Sequence, residues 1–330
     1  MRKLLIGYDG SEHADAAIDD LQRAGLPPDT EAIVLTVADA FLPPTVDPKD
    51  WGSSPLDEKI RKRAEEMRAR ALKAREEAAS VAAQGAARLK QLFTSWAVSA
   101  ETDVNWPGWG IILKAEEWGA DMVVVGAGKH SFIERIQLGS ILRKVVGACE
   151  RTVRVGRPSS RAKETSVRII IGLDGSPDAE LAMEAVAERT WPAGSQAHLI
   201  TVIDDRLSIL TPSLIPRLAR WSSAADSDDD QAWVDRMMKA ASDNLQAAGL
   251  EISREVVRGA PSQRLLDAAV DWQADCIVIG ARGLSGIERF LIGSVSSDVA
   301  VRANCSVEVV RPKPSRPEPS WIAETVDIDS

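Results

Sequence analysis

Gly280, Gly283 and Gly293, followed directly by Ser294, Val295 and Ser296, form an array whose spacing could do chemistry. The pattern Gly-x2-Gly-x9-Gly-Ser follows the apolar run Cys276–Ile279 and leads into a helix-like segment. Glycine has no Cβ, so at 280 and 283 it allows positive φ and lets the main chain approach a ligand closely. Gly293-Ser294 reads as a helix start, where free amide N–H groups and the positive end of the helix dipole suit a phosphate. The hydroxyls of Ser294 and Ser296 add polar contacts, and Arg282 offers a charge-assisted one. The same glycines would also serve a plain strand-to-helix turn. Asp174, a carboxylate at the end of a second apolar run (Ile169–Ile171), favours the ligand-binding reading.

For these residues to meet, two strands must end side by side, and the chain carries that framework twice. Residues 3–11 read KLLIGYDGS and residues 168–176 read RIIIGLDGS, an offset of 165. Residues 126–140 (GAGKHSFIERIQLGS) and 280–294 (GARGLSGIERFLIGS) agree at eight of fifteen positions, at an offset of 154. Two matches in the same order establish an internal duplication.

In each copy an apolar first strand ends in Gly-x-Asp-Gly-Ser, with Ser11 and Ser176 as N-caps and Pro177 at a first helical position. Second strands are predicted at Ala32–Val37 and His198–Ile203, and third strands at Ala97–Val104 and Ile252–Val257. Fourth strands fall at Met122–Val125 and Cys276–Ile279, and last ones at Thr152–Val155 and Ser306–Val310. Strands apolar on both faces, alternating with helices, give a parallel sheet covered on both sides. Right-handed crossovers then make it doubly wound. The fold class is α/β, as two tandem doubly wound parallel five-stranded sheets, with ligands at the carboxyl ends of the strands where the strand order reverses.

The division is a first domain over 1–156, a polar linker over 157–166, a second domain over 167–311, and a tail over 312–330. The tail holds four prolines and is expected to be disordered. Residues 57–93, rich in Ala, Arg, Lys and Glu, predict a helix roughly 50 Å long. The acidic run Asp226–Asp230 lacks the glycine and closing glutamate of a calcium loop and reads as a solvated loop.

Composition narrows the function classes. A net charge of −9 disfavours nucleic acid and anionic membranes as partners. Three scattered cysteines and three histidines leave no metal-ligand pattern, and the cysteines read as buried thiols. The start Met1-Arg2-Lys3 and five apolar residues is too short for a signal-peptide core, and no run is long enough for a membrane span, so the expected location is cytoplasmic. Gly128-Lys129 is not a phosphate-binding P-loop, because Val123 and His130 stand where Gly and Ser or Thr are needed. Trp106 and Trp109, around Pro107, read as core or interface packing.

On these motifs the chain resembles a tandem member of the universal stress protein family, with an adenine nucleotide alpha hydrolase-like fold. Nucleotide-binding members of that family carry Gly-x2-Gly-x9-Gly-Ser/Thr after strand four, matched here by Gly280, Gly283, Gly293 and Ser294. The resemblance implies that Asp174 hydrogen-bonds the adenine or ribose side and that Val202 contacts adenine through its backbone. Residues Gly280–Gly283 and Gly293–Ser296 would hold ribose and phosphates. The ligand implied is ATP, or ADP or AMP, with Mg2+ carried on the phosphates.

The first copy keeps Asp9, Val37, Gly126, Gly139 and Ser140. Lys129 replaces its second glycine, Phe132 replaces Gly286, and Leu142 stands where Ser296 supplies a hydroxyl. It reads as a degenerate site, although Lys129 could instead offer its ammonium to a phosphate. The function expected is a nucleotide-binding stress-response regulator acting through an unknown protein partner. The alternatives are an interaction module that binds nothing small and, behind it, a slow ATPase, for which no catalytic residue is identified. The halves are expected to pair within the chain along their last β-runs, above all Ser306–Val310, with further homodimerisation open.

Overall fold

Apolar triplets such as Leu4–Ile6 and Ile169–Ile171 have no polar face to turn to water, and both lie fully buried as central strands. A computed structural model describes residues 2–43, 55–127, 138–159, 161, 165–204, 228–283 and 292–313. The first copy has strands β1 (Arg2–Gly7), β2 (Thr30–Ala38), β3 (Ala97–Val104), β4 (Met122–Gly126) and β5 (Thr152–Gly156). The second has β6 (Arg168–Gly172), β7 (Gln196–Ile203), β8 (Glu251–Arg258), β9 (Cys276–Gly280) and β10 (Ser306–Val310). Between them lie α1 (Glu12–Asp20), α2 (Pro55–Leu92), α3 (Pro107–Trp118) and α4 (Leu138–Ala148), then α5 (Pro177–Ala187), α6 (Asp228–Ala247), α7 (Pro261–Asp271) and α8 (Ser294–Arg302).

Within each copy all pairings are parallel, in the order 3-2-1-4-5 and its repeat 8-7-6-9-10. The halves do not stay separate. β5 and β10 pair antiparallel, Val155 with Val307 and Val153 with Val309, and the two five-stranded sheets become one sheet of ten strands. On one face a single apolar cluster crosses this seam, from Leu5 and Val145 to Ile277 and Val299. On the other face each copy has its own cluster.

The long helix extends over Pro55–Leu92, about 57 Å at 1.5 Å per residue. Ala78, Ala82, Ala86 and Leu89 of its second half are buried, and Gly85 lies against Tyr8, where an added Cβ would be 2.7 Å from the ring. Two expectations need correction. Asp228–Asp230 open α6 instead of lying in a loop, and a helix N-terminus favours that residue type. Trp106 and Trp109 are not core residues: they are 70% and 38% exposed, and Lys144 Nζ sits 4.0 Å from the Trp109 ring centroid. The connecting segment, polar as a linker should be, nevertheless buries Arg157 and Arg161. The cysteines are free and buried, and burial pushes Cys276 and Cys305 up to about 12. The disorder expected for the tail falls beyond Lys313, outside the described residues.

The seam is charged at its centre. Arg154 of β5 lies opposite Glu308 of β10, with Nη1 to Oε2 at 3.0 Å. Arg154 also makes a fork to Asp20 of α1 at 2.7 and 3.2 Å, and Arg189, just past α5, grips the outer side of Glu308. All four are buried. Burial alone would raise the Glu308 carboxyl, but Arg189 and Arg154 outweigh it and hold it at about 2. Removing one member leaves buried charge uncompensated, so Glu308→Gln is expected to cost roughly 3–5 kcal/mol at neutral pH. The folded carboxyl titrates below its ordinary value of 4.5, so this contribution is complete above that pH and is lost as pH falls toward about 2. Urea unfolding of both proteins across pH 2–7 measures it; a difference that grows on acidification would contradict the assignment.

Candidate functional site

Strand order reverses between β6 and β9, and the second copy's motif residues converge there. Asp174 follows β6 and closes a small turn, its Oδ1 accepting from Ser176 N–H at 2.9 Å. Gly175 takes φ +76° between them. Ser176 caps α5 by accepting from Ala179 N–H at 3.2 Å, and its hydroxyl donates to the Arg282 carbonyl at 3.2 Å. The first copy repeats the turn with Asp9, Gly10 (φ +77°) and Ser11. The positive φ that glycine would allow at Gly280 and Gly283 is not used there, and occurs at the Asp-Gly-Ser glycines.

What Gly280 supplies is absence of bulk. A Cβ there would lie 2.5 Å from the Asp178 carbonyl carbon, because the first turn of α5 rests on the end of β9. Gly126 faces the same restriction, 2.6 Å from the His13 carbonyl oxygen. Its retention in the first copy thus follows from packing of helix on sheet, whether or not anything binds. Gly283 is different: a Cβ there would lie 2.6 Å from Asp174 Oδ2. That glycine is what allows the Asp174 carboxylate to reach into the loop.

The side chains near the loop are placed otherwise than expected. Arg282 lies along Asp178, giving it Nε at 3.0 Å, Nη2 at 3.3 Å and its own main-chain N–H at 3.1 Å. Buried Asp178, not anticipated from the sequence, so fastens the loop to α5. The Ser296 hydroxyl donates to the Gly280 carbonyl at 2.7 Å and serves the fold. Ser294 is exposed at the first position of α8. Gly293 is the N-cap, with φ −78° and no side chain to cap the helix, and its N–H is held by the Ala281 carbonyl at 2.7 Å. The first amides of α8 thus lack the side-chain cap that Ser176 gives α5.

At the other end of the cleft, the Ile200 carbonyl accepts from Leu173 N–H at 2.9 Å, and β6–β7 pairing ends at Gly172 and Ile200. By the two-residue alternation of a strand, Val202 turns its N–H and C=O to that same side, beyond the end of the pairing. Asp174, Val202, Gly280, Arg282, Gly283, Gly293, Ser294, Val295 and Ser296 all line one cavity of about 250 Å³. Leu265, Pro261 and Asp204 also belong to its wall. The sequence reading omitted these three; Pro261 opening a helix after β8 was the signal available for two of them.

In the first copy, Asp9, Val37 and Gly126 occupy the matching places, but the surroundings differ. Helix α3 approaches so closely that a Cβ on Gly110 would lie 2.8 Å from Val37 Cγ1. Gly139 and Ser140 fall inside α4, which begins at Leu138, whereas Gly293 precedes α8. Leu142 is buried. Lys129 and Phe132 lie outside the described residues.

The model of the universal stress protein family matches residues 1–155 and again 166–311. The chain belongs to the universal stress protein family. A universal stress protein of Mycolicibacterium smegmatis is 26% identical over 324 residues, covering 94% of this chain and 97% of that one. One from Mycobacterium tuberculosis is 28% identical over 169 residues, half of this chain and 56% of the relative's length. The crystal structure of a universal stress protein from Archaeoglobus fulgidus has the same fold, with a TM-score of 0.59 at 19% identity over 94% of this chain and 96% of that one.

Because Gly126 and Gly280 meet equivalent helix starts, those of α1 and α5, Gly126→Ala and Gly280→Ala should lower stability by similar amounts, roughly 1–3 kcal/mol each. Denaturant unfolding checks this. A neutral Gly126→Ala beside a damaging Gly280→Ala would show that packing is not why the glycine is kept.

Proposed function

We propose that the second copy binds an adenine nucleotide, ATP in the first instance, and that its occupancy regulates what this cytoplasmic stress protein contacts. The observation that carries the reading is the convergence of Asp174, the backbone of Val202 and an uncapped helix start on one cleft. The residues suit such a ligand. A space that a Cβ at Gly283 would fill is left open beside a carboxylate, and α8 offers unsatisfied N–H groups to an anion. At about 250 Å³ the cleft is at the small end of ligand pockets, roughly 300–1,000 Å³, and matches the nucleoside better than the whole nucleotide. Phosphates would extend past Gly293 and Ser294, where α8 starts.

Asp174 would orient the sugar or base, and Asp178 would act on the ligand only through Arg282, by setting the loop in place beforehand. Among the described residues no cluster of three metal-binding side chains occurs, so Mg2+ would arrive on the phosphates. No described helix is long and apolar enough to cross a membrane. The first copy, with α3 against Val37 and Gly139 inside α4, is read as the half that does not bind.

At a hundredfold excess over Kd, ATP should stabilise the protein by about 2.7 kcal/mol, read as a rise in unfolding temperature. Gly283→Lys, which places a long side chain against Asp174, should abolish the rise. Purified protein that carries no nucleotide and shows no ATP-dependent shift would defeat the proposal.

A further inference from the structure

His198, Ser253 and Glu255 meet on one face of the sheet, in an arrangement that the first copy does not have. In the β7–β8 register His198 stands opposite Ser253, and Glu255 follows two residues on, which returns it to the same face. The Ser253 hydroxyl lies 2.7 Å from His198 Nδ1, and Glu255 Oε2 lies 3.4 Å from Nε2. Contacts in such sites are often this long before a substrate binds. A carboxylate calls for an N–H, so the ring proton is assigned to Nε2 and the lone pair to Nδ1, facing the hydroxyl. Trp272 packs beside the ring, centroids 5.4 Å apart, and the His198 side chain is 15% exposed. Ser253 itself is exposed.

The first copy has Ser99 and Glu101 in the matching places, but a buried Ile33 stands where the second has His198. There Glu101 is held by Lys114 Nζ at 2.7 Å. Ala268 replaces that lysine in the second copy, and Glu255 faces the histidine instead. Ala268 also lines a cavity of about 310 Å³, together with His198, Ile200, Glu255, Val257 and Trp272. β8 is the last strand of the sheet. Glu251 and Gly259 turn their N–H groups inward, to the carbonyls of Ser195 and Ile203. By alternation Arg254 turns its N–H outward from the edge, next to Ser253.

We propose that Ser253 and His198 are the catalytic residues of an acyl-transfer site that hydrolyses small carboxylic esters, with Glu255 positioning the histidine. The parts are those this chemistry needs: a nucleophile touching a base, the base touching an acid, and an N–H after the nucleophile for the oxygen that becomes negative. As Ser253 Oγ bonds the ester carbon, its proton passes to Nδ1. The carbon–oxygen bond to the leaving alcohol then breaks, and Nδ1 returns the proton to that alcohol. Water repeats both steps on the acyl-serine, freeing the carboxylic acid and Ser253. The apolar wall of the cavity, Ile200, Val257 and Ala268, suits the acyl chain. His198 precedes Val202 by four residues, about 13 Å along the strand, and the assignment does not depend on nucleotide binding.

Hydrolysis of p-nitrophenyl acetate by the full chain tests it. The protein should release p-nitrophenolate and carry an acetyl group on the peptide that contains Ser253, read by mass spectrometry. Ser253→Ala, a change at an exposed position that leaves the fold intact, should lose the acetyl group and at least about a hundredfold of the rate. His198→Gln should lose as much. Glu255→Gln should lower kcat with KM unchanged, and Glu255→Asp should restore part of the loss. A rate in Ser253→Ala equal to that of the unaltered chain, or acetyl groups found on lysines alone, would overturn the proposal.

Discussion

The pairing of Arg154 with Glu308 sits where the two halves of the sheet must agree. In the β5–β10 register these residues are each other's equivalents in the duplication, and flanking pairs are related by exchange of copies. A homodimer of one such domain would put identical residues at that point, and identical charges there would repel. A tandem chain is free of that symmetry. Here it sets a cation against an anion and extends the alternation outward through Asp20 and Arg189. Such a buried chain adds little net stability compared with apolar packing, but breaking it at one member is costly, and it selects this register. The shared core on one face supplies the apolar burial that makes the seam permanent.

The same freedom applies to the two clefts. Both copies keep the elements that place a helix start on the end of the fourth strand: the Asp-Gly-Ser turn, the serine cap and the glycine that the helix backbone presses upon. These are conditions of folding and hold in both halves. The features that differ, Gly283 beside Asp174 and the position of Gly293 before its helix, are those a ligand would sense.

Much of this was legible in the sequence because repetition made it so. Two signatures at fixed offsets located ten strands, and the apolar character of Met122–Val125 and Cys276–Ile279 gave the parallel sheet. Ser306–Val310 was recognisable as the pairing edge because no later strand follows it. Which glycines use positive φ was not legible, since a glycine kept for close approach and one kept for its backbone look alike in a sequence. The pairing of Arg282 with Asp178 was missed because the two are about a hundred residues apart and either could have faced solvent. The charge chain was equally hidden, although single charged residues within the buried runs Thr152–Val155 and Ser306–Val310 were a sign that each had a partner.

The central claim is that duplication has left one nucleotide site out of two. Equilibrium dialysis with labelled ATP, followed by photo-crosslinking and peptide mapping, tests it most directly. The account predicts one nucleotide per chain, attached within residues 167–311. Two per chain, or label recovered from residues 1–156, would contradict it.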